Sequence, residues 1–252
     1  MARRTLGAMA LMLPLVGCAS WLPAAVPMRV IDYRLSEGRA RCALVLLPGR
    51  GDDAETFAEH GFVEALRARR LSVDVVAADA TLGYYFKGLL NERLVADVFA
   101  PLKARGYEKT WLLGISMGGM GALIAAERNP GVADGLILLA PFLGDDALVD
   151  EVEKAGGLAT WQPGPLAPRF DADTYQRYVW AFLKSATAAG KPVIYLGTGE
   201  ADTQMAAKAR VLGAALPADH VGHESGGHDW PPWKKLWGDW LDRSSFATDC
   251  AP

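Results

Sequence analysis

A serine set between two glycines, Gly114-Ile115-Ser116-Met117-Gly118, closes an apolar run that begins at Thr110, and a helix-forming stretch follows at once. When a strand reverses into a helix around one residue, the side chains two before and two after it come close together, so only small residues fit at 114 and 118. Such a turn exposes Ser116 Oγ at the carboxyl end of a sheet. It also aims the first N–H groups of the next helix at the reacting centre. Those are the requirements for attack on a carbonyl.

A serine hydroxyl is a poor nucleophile until an imidazole takes its proton, and the resulting imidazolium needs a carboxylate behind it. Of the four histidines, His228 in Gly226-Gly227-His228-Asp229-Trp230 lies between the last expected strand and the last helix. That is the place of the base when the chain order is serine, acid, histidine. The acid then follows the penultimate strand, where Gly197-Thr198-Gly199-Glu200-Ala201-Asp202 supplies two. Asp202 is the first choice because a carboxylate a few residues beyond the strand suits a loop reaching Nδ1; Glu200 is second, and Asp145 and Asp146 are weaker options. His60 belongs to a helix ahead of the serine and reads as a surface or core residue. His220 and His223, three apart on a strand, point to opposite faces and do not converge with His228 on an ion, so no metal site is expected.

Two N–H donors must converge on the oxyanion. Met117 N–H, directly after the serine, is one. Arg50 N–H, in the loop Gly49-Arg50-Gly51, is the other. Tyr84, Tyr85 and Phe86 follow the third expected strand on the ligand-binding side of the sheet, so they are candidates to line a substrate pocket. Trp230, Trp233, Trp237 and Trp240 recur at helical spacing and read as core packing.

The elements that position these residues alternate. Expected strands at 28–35, 41–47, 72–78, 110–115, 135–140, 192–197 and 220–224 are separated by helices at 55–69, 91–104, 117–128, 205–215 and 230–243. Alternation from the second strand onward predicts an α/β fold with a mostly parallel sheet and helices on both faces. Residues 142–191 break the rhythm, with three prolines and a helix from about 171, and are a candidate cap over a pocket. The glycines around 119–121 do not make a dinucleotide-binding fingerprint, because Ile124 stands where the third glycine is needed.

With 252 residues, 51% of them hydrophobic, the chain suits one globular domain, expected at 31–245 with a tail at 246–252. A formal net charge of −3 and the lack of long basic runs exclude nucleic acid as the expected partner. Arg3 and Arg4 precede an apolar run that ends in Leu15-Val16-Gly17-Cys18. It is too short to span a bilayer and reads as an export signal over 1–17, followed by a tether at 18–30. The Leu-Val-Gly-Cys closure resembles the lipobox of bacterial lipoproteins, which implies that Cys18 carries a lipid and anchors the chain in the cell envelope. Ala19 and Ser20, where an inner-membrane retention signal has Asp, make the outer membrane the expected destination by the same resemblance. Cys42 and Cys250 either pair in that oxidising compartment or stay as a buried thiol and a loose one.

Taken together, Leu-Pro-Gly-Arg-Gly-Asp, Gly-Ile-Ser-Met-Gly-Gly and Gly-Gly-His-Asp-Trp resemble the α/β-hydrolase superfamily over about residues 40–243. The first loop is similar to that of phospholipase, carboxylesterase and acyl-thioesterase members, with Pro48 in place of their histidine. The last motif is similar to esterase-D and mycolyltransferase-like esterases. The resemblance implies an ester, thioester or amide hydrolase without a cofactor, acting on a small-molecule or lipid ester. Acyl transfer to a sugar or lipid hydroxyl would use the same residues, and a non-catalytic envelope-binding protein is the alternative of a different class.

Overall fold

The computed structural model describes residues 21–252. The expected signal at 1–17 and Cys18 therefore lie outside the described residues. In chain order the elements are β1 (Val30–Tyr33), β2 (Cys42–Leu47), α1 (Thr56–Glu59), α2 (Phe62–Arg69), β3 (Val73–Ala78), α3 (Leu82–Phe86), α4 (Leu90–Arg93), α5 (Ala100–Arg105) and β4 (Lys109–Ile115). A π-helical turn, Leu94–Phe99, joins α4 to α5. Then come α6 (Met117–Arg128), β5 (Gly135–Leu139), α7 (Asp146–Lys154), α8 (Tyr175–Ala189), β6 (Val193–Gly199), α9 (Ala206–Gly213), β7 (Val221–Glu224), α10 (Trp230–Arg243) and α11 (Ser245–Asp249).

The seven strands form one sheet in the order β1-β3-β2-β4-β5-β6-β7. All pairs are parallel except β1 with β3, which is antiparallel. Strands β2, β3 and β5 are buried at every residue, the signature of a sheet covered on both faces. Their side chains alternate between two apolar cores. Ala43, Val45 and Leu47 face the layer of α3 to α9, while Cys42, Leu44 and Leu46 face α1, α2, α10 and α11. This is the α/β-hydrolase fold.

Three expectations change. The helix anticipated over 55–69 is two helices, because Gly61 adopts φ 81° between them. Residues 142–191 do not form a cap: Leu148, Val149, Val152, Val179, Trp180 and Leu183 bury an ordinary flanking layer, packed beside α6 and α9. The reason is amphipathic patterning on both helices, whose apolar sides face the sheet rather than the cleft. The tail is not loose, since α11 buries Phe246 completely. Cys250 is likewise buried and is disulfide-bonded to Cys42, with Cα atoms 5.5 Å apart. Among the described residues no helix is long and apolar enough to cross a membrane.

Candidate active site

Strand β4 delivers Ser116 to the carboxyl edge of the sheet in a strained conformation, φ 52° and ψ −114°. Neighbours hold it there. Ser116 N–H donates to the Leu139 carbonyl and the Ser116 carbonyl accepts from Phe142 N–H, each at 2.9 Å. The flanking glycines are a steric requirement: a Cβ on Gly114 would lie 2.2 Å from the Gly118 carbonyl oxygen. A Cβ on Gly118 would fall 2.0 Å from the Leu47 carbonyl oxygen, so the start of α6 rests on the end of β2. That contact carries the 49–51 loop to the serine; a Cβ on Gly49 would be 3.8 Å from Ser116 Cβ.

His228 reaches the serine from the loop between β7 and α10. Its Nε2 is 2.9 Å from Ser116 Oγ and its Nδ1 is 2.7 Å from Asp202 Oδ2. A carboxylate only accepts, so Nδ1 carries the proton and leaves the Nε2 lone pair for the serine hydroxyl. Asp202 is fully buried, and its second oxygen accepts from Gln204 and Met205 N–H, both at 3.1 Å. The loops of base and acid are tied together: Glu200 N–H donates to the Glu224 carbonyl at 2.7 Å and Ala201 N–H to the Gly226 carbonyl at 2.8 Å. Gly199 permits this crossing, since a Cβ there would lie 2.3 Å from the Gly227 carbonyl oxygen.

The three alternative acids do not reach His228. Glu200 is solvent-exposed on the same turn as Asp202, Asp145 is exposed and accepts from Gln176 Nε2 at 2.8 Å, and Asp146 is exposed and paired with Lys208. The remaining histidines are also engaged away from the serine: His220 Nδ1 lies 3.1 Å from the Ile194 carbonyl oxygen, His223 Nδ1 lies 3.0 Å from Thr198 Oγ1, and His60 stacks on Trp230.

A cleft of about 610 Å3 opens over Ser116 and His228. Met117 and Arg50 both line it, and as the first residue of α6 Met117 has an N–H with no intrahelical acceptor. The walls are mostly apolar, from Leu82, Met120, Phe142, Met205, Trp230 and Trp233, with Gln204 and Asp229 as polar members. Asp52 also faces the cleft, where burial pushes its carboxyl above the usual range.

The expectation that Tyr84, Tyr85 and Phe86 line the pocket fails. Tyr84 is buried against Ala25, donating to its carbonyl at 2.8 Å, Tyr85 is turned beneath α6, and Phe86 faces solvent. Their stretch coils into α3, so the side chains radiate in different directions and only Leu82, at its start, reaches the cleft. Trp230 and Trp233 combine packing with a cleft-facing edge. Two wall residues missed in the sequence were signalled there: Met120 is one helical turn beyond Ser116, and Phe142 lies three residues past the carboxyl end of β5.

The fold resembles several solved structures at low identity. A fluorophosphonate-binding serine hydrolase F from Staphylococcus aureus aligns over 86% of this chain and 98% of its own, with TM-score 0.57 and 13% identity. A monoacylglycerol lipase from Paleococcus ferrophilus aligns over 85% and 96%, with TM-score 0.53 and 17% identity. An S-formylglutathione hydrolase from Agrobacterium tumefaciens aligns over 89% and 90%, with TM-score 0.56 and 15% identity. No curated protein sequence matches the chain. The profile of the family described as "Serine aminopeptidase, S33" matches residues 92–226, more than half of the chain, including the Ser116 turn and Asp202. The chain therefore belongs to that family of α/β-fold serine hydrolases.

Proposed function

We propose that the chain is a serine esterase that cleaves carboxylic esters or thioesters through an acyl-enzyme. The observation that carries this reading is the unbroken hydrogen-bonded series from Ser116 Oγ through His228 to buried Asp202, open to an apolar cleft. Ser116 Oγ attacks the carbonyl carbon while His228 Nε2 takes its proton. The oxyanion is held by Met117 and Arg50 N–H groups. The imidazolium, stabilised by Asp202, returns the proton to the leaving alkoxide or thiolate, and water then repeats the sequence on the acyl-enzyme.

The test is fluorophosphonate labelling read by intact mass, beside turnover of a short-chain p-nitrophenyl ester. Wild type is expected to label and turn over, and Ser116→Ala and His228→Ala to do neither. A folded wild type that neither labels nor turns over would reject the reading in favour of a binding protein.

One observation favours a second reading, removal of an amino-terminal residue from a peptide. Asp52 places a half-buried carboxylate in the cleft, where a substrate ammonium would neutralise it. Faster turnover of an aminoacyl anilide than of the ester, lost in Asp52→Asn, would select it.

Export and lipid attachment at Cys18 belong to the same proposal. The Cys42–Cys250 disulfide supports it, because such bonds persist in oxidising compartments.

A further inference from the structure

The first described residues lie directly on α3. A Cβ on Gly83 would fall 2.0 Å from the Pro23 carbonyl oxygen and 3.1 Å from that of Leu22, so the 22–23 backbone crosses the helix at that glycine. Beyond the crossing the segment is pinned by the Tyr84 bond to Ala25 and by Met28 N–H, which donates to Asp97 at 2.7 Å.

This pinned segment nevertheless leaves Trp21 88% and Val26 63% exposed, and Phe86, three residues along α3 from the crossing, is 62% exposed. Leu82 and Phe86 are four apart on α3 and share a face, and Leu82 lines the Ser116 cleft. Apolar surface thus runs from the cleft rim past Phe86 to the crossing segment, where residues 1–20 join the fold. Exposed aromatics in such a strip mark an interaction surface, and Trp and Phe suit the headgroup boundary of a bilayer. Exposed Lys87 beside Phe86 supplies a cation for lipid phosphates. Cys18, the proposed lipid attachment, is three residues before Trp21, a reach of about 10 Å. That short reach favours a bilayer over a protein partner.

We infer that the face carrying Trp21 and Phe86 docks on the lipid bilayer and turns the cleft rim toward it, so that the substrate is an acyl ester drawn from the membrane. The inference rests on the esterase and anchoring readings above. Docking and turnover are therefore read separately.

The full chain is bound to phosphatidylcholine vesicles with a fluorophore on Phe86→Cys or, as reference, on Lys103→Cys, an exposed site in the last turn of α5, which leads to the amino-terminal end of β4. Spin-labelled phospholipid is expected to quench the label at 86 several-fold more than the label at 103. Equal quenching, or a chain that does not stay with the vesicles, overturns docking. In parallel, Trp21→Ser with Phe86→Ser is expected to lower turnover of a vesicle-borne long-chain umbelliferyl ester about tenfold relative to that of soluble p-nitrophenyl acetate. An unchanged ratio overturns the membrane source of the substrate. If wild type turns over neither ester, the esterase reading fails, while quenching still decides docking.

Discussion

The Tyr85 hydroxyl donates to the Met117 carbonyl at 3.1 Å, in space that exists because residue 121 is glycine: a Cβ there would lie 2.3 Å from the phenolic oxygen. Burial pushes the phenol's pKa upward, so it stays a donor at any working pH. The bond braces the first turn of α6, whose N–H groups face the cleft. Tyr85→Phe is expected to cost about 1–2 kcal/mol in urea unfolding and to lower kcat severalfold at constant KM. Gly121→Ala should cost more, because the methyl group must displace the ring. A Tyr85→Phe variant with wild-type kcat would show that α6 needs no such brace.

Asp202 has two jobs that a well-chosen substitution separates. One oxygen faces His228 and the other accepts from two backbone N–H groups. Asp202→Asn can keep the backbone contacts, so its melting temperature should stay near wild type while ester turnover drops by at least about 10³-fold. Asp202→Ala leaves those buried donors unpaired and should also lose about 1–3 kcal/mol of stability. Comparable melting temperatures for the two variants would mean that the backbone contacts contribute little.

The α7–α8 joint should weaken in acid. Hydrogen bonds from Arg177 and Trp161 hold the Glu151 carboxyl down to about 2. A carboxyl lowered by folding stabilises above its unfolded value and loses that contribution as pH falls, here from about 4.5 toward about 2. The pair is more than one-third exposed, so solvent screening limits the effect to about 1 kcal/mol. Glu151→Gln should flatten that part of the stability curve in urea titrations; parallel wild-type and variant curves would count against it.

The disulfide between Cys42 and Cys250 spans 208 residues of chain. Closing so long a loop should contribute about 2–5 kcal/mol. Cys42→Ala with Cys250→Ala is expected to lower the urea midpoint in air, and reductant should shift wild type alone. A reductant-insensitive wild type would mean that the bond does not form.

What could be read in the sequence was whatever local sterics and chain order dictate. Gly114 and Gly118 flank a turn that tolerates nothing larger, and Gly226-Gly227 free His228 to lie over the acid turn; the relevant residue types and spacings are contiguous. Asp202 is preferred over Glu200 on its distance beyond the strand, but what holds it under His228 is the register of two loops, set by bonds from residues 200 and 201 to 224 and 226, more than twenty positions away. The direction of Tyr84, Tyr85 and Phe86 depended on a single helical turn in α3 that propensity does not announce. The partner of Cys42 depended on the packing of α11, which Phe246 drives by burying itself beside Trp111 and Trp237.

Because Cys42 opens β2, an interior strand of the sheet, and Cys250 lies just past α11, the disulfide turns nearly the whole domain into a covalent ring. A protease that cuts one exposed loop inside that ring, such as the proline-rich stretch around 163–168, produces two fragments that remain joined and keep their mutual register. Release of a piece requires a second cut. The same ring holds Ser116, Asp202 and His228, so a single nick between any two of them leaves all three on one molecule.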